Sequence, residues 1–217
     1  MSDFLDRIIE RASADRKTIV LPEGRDPRTL EAAVKARDLG VADIIVLADD
    51  KTIAKSGFDL QDVTIIDPQD SEDAESFAQA LYGLRQSKGL TIEQARELVR
   101  DELYFGVMMV HLGKADGMVA GAAHSTSDVL RPCLQILKTA PGTSLVSAFF
   151  IIVVPDCEYG ANGAFIFADS GLVQHPSAEE LADIAIASAS SFKNLIEAEP
   201  VVAMLSHSTK GSAKSPS

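Results

Sequence analysis

The sequence predicts an α/β fold, a parallel sheet with helices on both faces. Three observations carry that reading. Short apolar segments (Thr18 to Leu21, Asp43 to Leu47, Val63 to Ile66) recur with room for one helix between each pair. The stretches between them place apolar residues at helical spacing and open on capping residues. The segments themselves run apolar without strict alternation, as strands covered on both faces do.

Residues 2–15 put Phe4, Leu5, Ile8, Ile9 and Ala12 on one helical face, with Ser2 or Asp3 as a cap. Pro22 ends the first strand, and Asp26-Pro27 opens a helix with an N-cap carboxylate followed by proline at the first helical position. That helix points Leu30, Ala33, Val34 and Leu39 inward and ends at Gly40. The second strand is followed by a short helix, Lys51 to Ser56, and then by the third strand. A helix over Ser71 to Ser87 is broken by Gly89, and Thr91-Ile-Glu-Gln94 is a capping box opening another. Asp101 to Leu112 reads as a further helix. Gly117 to Ala120 is a strand, Gly121 to Thr126 a loop, and Asp128 to Lys138 a helix with Pro132 near its start.

Ala140-Pro141-Gly142-Thr143 marks a boundary, giving a first domain over 1–142 and a second over 143–217. Leu145 to Val154 and Ala164 to Ala168 read as an antiparallel pair around the polar turn Pro155 to Gly163. A capping box at Ser177-Ala-Glu-Glu180 opens an alanine-rich helix reaching about Glu197, and Val201 to Leu205 is a final strand. Three strands and one helix are too little to close an α/β domain, so the second domain is expected to be incomplete.

Composition narrows the function. Of 217 residues, 24% are charged and 46% hydrophobic, with 20 basic and 32 acidic residues giving a formal charge of −12. This balance argues against nucleic acid or an anionic membrane surface as a partner, since both need a basic face. It leaves a small anionic ligand open, because local donors outweigh the global field. The N-terminal stretch is charged throughout and lacks the apolar core of a signal peptide. No run approaches membrane-spanning length. The two cysteines, Cys133 and Cys157, form neither a disulfide framework nor a zinc pattern, so no metal is expected. A cytoplasmic setting fits.

Two loops that follow strands carry candidate chemistry, because ligands of open α/β sheets gather at the carboxyl ends of strands. Gly121-Ala-Ala-His-Ser-Thr-Ser-Asp128 offers backbone N–H groups, the hydroxyls of Ser125, Thr126 and Ser127, and Arg131 one turn into the helix. Phosphate oxygens seek such donors. The plain alternative is an ordinary capped helix with a surface arginine. Ser206 to Ser215, with Ser208, Thr209, Lys210, Gly211 and Ser212, resembles a second anion cradle but is not a Walker A loop. A polar tail is its alternative reading. His124 is open to three readings, a base, a phosphate donor or a packed loop residue, and a lone His with no visible carboxylate partner is usually not catalytic. Cys157 is flanked by the carboxylates of Asp156 and Glu158, a setting that argues against a nucleophile. Arg85 ends a helix, where a cation complements the dipole.

Long blocks then match a known family in order: TIVLPEGRDPRTL, DGMVAGAAHSTSDVLRPCLQILKT, SAFFIIVVPDCEYG, FADSGLVQHPS and VAMLSHSTKGSAKS. The chain resembles phosphate acetyltransferases (phosphotransacetylases) from Met1 to Ser215. The resemblance implies reversible acetyl transfer between acetyl phosphate and coenzyme A, without metal or bound cofactor, by a cytoplasmic homodimer. Its implied fold is two α/β/α domains of the isocitrate and isopropylmalate dehydrogenase type around a deep cleft. It matches Arg131 to an active-site arginine and Arg85 to one associated with coenzyme A. It places Cys157 near the site, and sets Ser125 to Ser127 and Ser208 to Ser212 along the phosphate and acetyl end. His207 departs from the family's aromatic residue. The family continues further, and that part supplies a Ser-Arg pair and an aspartate general base with no counterpart here. Alternatives are an inactive fragment that at most binds ligand or associates with other subunits, and a butyryl-transferring relative. A decarboxylating dehydrogenase on the related fold would need metal-binding aspartates and an adenine-nucleotide loop, and the sequence contains neither.

Overall fold

The computed structural model describes residues 2–205, and the side chains from Phe4 onward. The chain forms two compact units. One is Ile9–Lys138; the other joins the residues before Ile9 to the chain from Thr139 on.

The Ile9–Lys138 unit is organised by a four-stranded parallel sheet in the order β3-β2-β1-β4. The strands are β1 (Lys17–Leu21), β2 (Ala42–Leu47), β3 (Thr64–Ile66) and β4 (Gly117–Met118). β1 pairs with β2 through Ile19↔Ile44 and Val20↔Ile45, and with β4 through Ile19↔Gly117. Alternate side chains leave the sheet on opposite faces. Val20, Ile45 and Leu47 pack against Phe77, Leu81, Phe105 and Met108 on one side. Leu21, Ile44 and Val46 pack against Leu30, Ala33 and Val63 on the other. Both faces are therefore buried, which is why the strands read as continuous apolar runs.

Local signals set the helices. α2 (Pro27–Leu39) starts where the Asp26 carboxylate accepts the Arg28 N–H, and ends at Gly40 with φ 64°. Leu39, expected to point inward, is exposed. α3 (Asp50–Ser56) is capped by Asp49. α4 (Ala74–Arg85) starts three residues later than the spacing suggests, and a 3₁₀ turn at Gln86–Lys88 precedes Gly89. α5 (Ile92–Leu98) opens on the Thr91–Gln94 capping box, and α6 (Glu102–His111) on Asp101, which accepts two N–H groups. α7 (Thr126–Ile136) begins two residues earlier than expected. Ser125 holds the Asp128 N–H as its N-cap, and Pro132 therefore lies inside the helix, buried.

Because every strand of this sheet points the same way, the segments following β1 and β4 share its carboxyl edge. Gly24 fixes how closely the chain leaving β1 lies on β2. A Cβ there would fall 2.5 Å from Val46 Cγ1 and 2.6 Å from the Leu47 carbonyl oxygen. Gly24→Ala is expected to destabilise this unit by about 1–3 kcal/mol through overpacking. Urea unfolding checks this, and an unchanged midpoint would contradict the contact.

The other unit contains an antiparallel pair, β5 (Phe149–Val153) and β6 (Ala164–Ala168), in register Phe149↔Ala168. α8 (Ala178–Ile196) opens on the Ser177–Glu180 capping box. Ala164 and Ile196 enclose a small core with Phe4, at the start of α1 (Ser2–Ala14), while Ile8 and Phe192 pack on it. The long run Leu145 to Val154 is a strand only from Phe149. Ala148 instead donates its N–H to Asp169 Oδ2 and accepts from the Ser170 N–H, which diverts the backbone from the ladder. Val201 to Leu205 is not a strand. No ladder joins it among the described residues, and Val201 and Leu205 are 95% and 87% exposed. An apolar segment without a neighbouring strand has nothing to pair its backbone.

Candidate active site

The carboxyl edge of the parallel sheet places Glu23, just past β1, beneath the loop that follows β4. Glu23 is 2% exposed. Its Oε2 accepts the N–H groups of Gly121 at 2.8 Å and Ala122 at 2.7 Å. Its Oε1 accepts those of Ala123 at 2.8 Å and His124 at 2.9 Å. The His124 Nδ1 lies 2.8 Å from the same Oε1. Arg28, itself held by Asp26, donates to the Ala122 carbonyl. The turn is thus gripped by its amides from Glu23 in the β1–α2 connection and by a carbonyl from Arg28 in the first turn of α2.

This arrangement changes the reading of the loop. Its N–H groups form an anion cradle, as the sequence suggests, but the protein's own carboxylate fills it. Burial alone would push the Glu23 pKa up. The amides of Ala123, Ala122 and His124, with the His124 ring, reverse that and bring it down to about 2. Burial likewise pulls the His124 pKa down, but Glu23 and then Glu102 outweigh it and the net shift is upward. Glu102, the first residue of α6, stands 3.8 Å from His124 Nε2. Burial raises its pKa despite the cations nearby.

The donors left for a ligand are side chains. Ser125 Oγ is engaged by Asp128 Oδ2 at 2.6 Å and by Ser127 Oγ at 2.8 Å while capping α7. Thr126 and Ser127 occupy the first turn of α7, where the helix dipole favours an anion. Arg131 is 61% exposed and stands 3.7 Å from Asp128. Arg85 lines a groove of about 470 Å³ with Lys88, Gln94, Tyr104 and Gln135. Tyr104 donates to Gln135 Oε1 at 2.9 Å. Burial raises the Tyr104 pKa, and Arg131 and Arg85 both oppose the rise. The fold therefore brings His124, Ser125 to Ser127 and Arg131 together at one helix start, with Arg131 and Arg85 both close enough to act on Tyr104.

Cys157 lies in the turn between β5 and β6, half-buried, in the other unit. There Asp169, at the end of β6, accepts the N–H groups of Gly171, Leu172 and Val173 on Oδ1, and that of Ala148 on Oδ2. Ser208, Thr209, Lys210, Gly211 and Ser212 lie outside the described residues, as does His207. Among the described residues no cluster of three or more His, Cys, Asp or Glu is arranged to hold a metal ion. No described helix is long and apolar enough to cross a membrane.

Sequence reasoning missed Glu23, Glu102, Arg28 and Asp169. The signal for two of them was present. Glu23 and Asp169 each stand at the carboxyl end of a predicted strand, and each lies within a block that resembles the family.

Comparison with known proteins identifies the family. Residues 3–217 match the family model described as phosphate acetyl/butaryl transferase. A phosphate acetyltransferase of Acetivibrio thermocellus is 56% identical over 214 residues, covering 98% of this chain and 64% of the relative. One of Thermoanaerobacterium thermosaccharolyticum is 52% identical, covering 97% and 65%. The EutD phosphotransacetylase from Staphylococcus aureus superposes with a TM-score of 0.85 at 40% identity, over 99% of this chain and 64% of that one. A phosphotransacetylase from Streptococcus pyogenes gives 0.86 at 38%, over 100% and 65%. The chain spans just under two thirds of the length of these relatives and belongs to the phosphate acetyl/butaryl transferase family.

Proposed function

We propose that this chain works as a phosphate acetyltransferase, passing an acetyl group reversibly between acetyl phosphate and coenzyme A. The observation that carries the proposal is the start of α7. His124, the Ser125 cap, Thr126, Ser127 and Arg131 converge there on one rigid turn, in a chain 56% identical to a protein of that name. An anionic phosphoryl group suits the helix terminus, and a guanidinium stabilises its charge as the bond to the acetyl group breaks. Arg85 and Lys88, beside the Tyr104 groove, suit a phosphate of coenzyme A. Both substrates are anionic, so these local cations work against a net charge of −12. The acetyl branch is favoured over the butyryl one by the names of the relatives.

The proposal includes the family's two α/β/α domains around a cleft, a homodimer, a cytoplasmic setting and chemistry without a bound prosthetic group. In it, Ser208 to Ser212 line the acetyl end and Cys157 lies near the site. A thiol of pKa ~8.5 is a few per cent thiolate at neutral pH, so a base assists its attack on the acetyl carbon. The resemblance assigns that base to an aspartate of the family.

Arg131→Ala tests the assignment. Acetyl phosphate binding, followed by ³¹P NMR, is expected to weaken about ten-fold or more, as for loss of a charged hydrogen-bond donor. Unchanged affinity would remove Arg131 from the site.

A further inference from the structure

We propose that Glu23 is a positioning residue for oxyanion binding: it locks the Gly121–His124 turn and pins the imidazole through Nδ1, so that Nε2 is the edge of His124 that meets a phosphoryl oxygen. The inference rests on the proposed function and deepens it.

The geometry supports each part. A carboxylate 2% exposed and holding four amides leaves the turn little freedom. The 2.8 Å contact from Nδ1 to Oε1 places a proton on Nδ1, since the ionised carboxylate only accepts. Nε2 then faces Glu102 at 3.8 Å, too far for a hydrogen bond, from a side chain that is 28% exposed. Among the described residues, that gap leaves Nε2–H without an acceptor nearer than Glu102 and beside the start of α7, where the dipole favours an anion. The cradle's own amides are committed, so a charged ring edge replaces them as a donor.

The charges around the ring favour the doubly protonated form. Glu23, Glu102 and Asp101 face it, and Asp128 acts on it from the first turn of α7. Arg25 acts on Glu102 and Arg28 on Glu23, and both temper that field. A donor at Nε2 is therefore lost as pH rises through the His124 midpoint, and the affinity for an oxyanion falls with it.

The test uses the 217-residue chain, imidazole NMR, and sulfate as a probe that stays a dianion over the working pH range. His124 is expected to titrate above the ordinary ~6.5 with the proton on Nδ1 in the neutral form. Sulfate affinity is expected to fall about ten-fold or more as pH rises through that midpoint. Glu23→Gln is expected to lower the midpoint and carry the binding curve with it. If that variant does not fold, Glu102→Gln gives a smaller downward move of both. His124→Gln, which leaves Glu23 in its cradle, is expected to remove the pH dependence.

A midpoint at or below the ordinary value overturns the inference. So does sulfate binding that ignores the midpoint, and so does absent sulfate binding. Sulfate binding lost in Arg131→Ala but indifferent to His124 would overturn this inference while leaving the proposed function in place.

Discussion

Glu23→Ala is expected to remove about 3 kcal/mol of stability at neutral pH, and with it part of the protein's sensitivity to acid. The folded carboxyl group titrates at about 2, against an ordinary value of 4.5. Each pH unit of that difference corresponds to about 1.4 kcal/mol, and the group is almost fully buried, so solvent screens little of it. The sign follows from the direction. A depressed carboxyl pKa contributes stability that is whole above about 4.5 and is lost as pH falls toward 2. The variant keeps the amides of Gly121, Ala122, Ala123 and His124 but takes away their acceptor, which leaves buried donors unpaired. Urea unfolding between pH 2.5 and 7, read at residues of the Ile9–Lys138 unit, measures it. The gap between wild type and variant is expected to close as pH falls. A gap constant across that range would show that Glu23 acts through packing alone.

Phe105→Ala is expected to cost about 3–5 kcal/mol, as the removal of a buried aromatic side chain does. Phe105 is fully buried and packs against Phe77 with ring centroids 4.8 Å apart and ring planes tilted by 48°. It sits in α6, which Asp101 caps and Glu102 opens, so the same cavity is expected to loosen the acidic neighbour of His124. Phe105→Leu is expected to recover more than half of the loss. Equilibrium unfolding of the two variants decides it. Equal costs would mean that the site collapses around any smaller side chain.

Much of the fold was legible because its signals are local. Asp26-Pro27, the Thr91–Gln94 box and the Ser177–Glu180 box act within one turn of chain, and each opens the helix expected of it. The misplacements came from competition that pattern alone does not resolve. Ser125 takes the cap of α7 ahead of later candidates because its hydroxyl meets both the N–H and the carboxylate of Asp128. Asp169 draws Ala148 out of the ladder from 21 residues away. Val201 to Leu205 has the composition of a strand, but a strand exists only where another pairs with it.

The candidate site divides in the same way. Ser125, Thr126, Ser127 and Arg131 stand within seven residues of one helix start, so their grouping was readable. His124 looked unpartnered because its carboxylate lies 101 residues earlier. The parallel crossover from β1 to its neighbour β4 brings the two together, and no local spacing encodes that.

Thioester formation from acetyl phosphate and coenzyme A by the purified 217-residue chain, with Arg131→Ala beside it, is the decisive assay. Acetyl-CoA formation is expected, falling by about 10²–10³ in the variant, as for loss of a donor to developing charge. A chain that unfolds cooperatively, forms no thioester and binds no acetyl phosphate would contradict the proposed function.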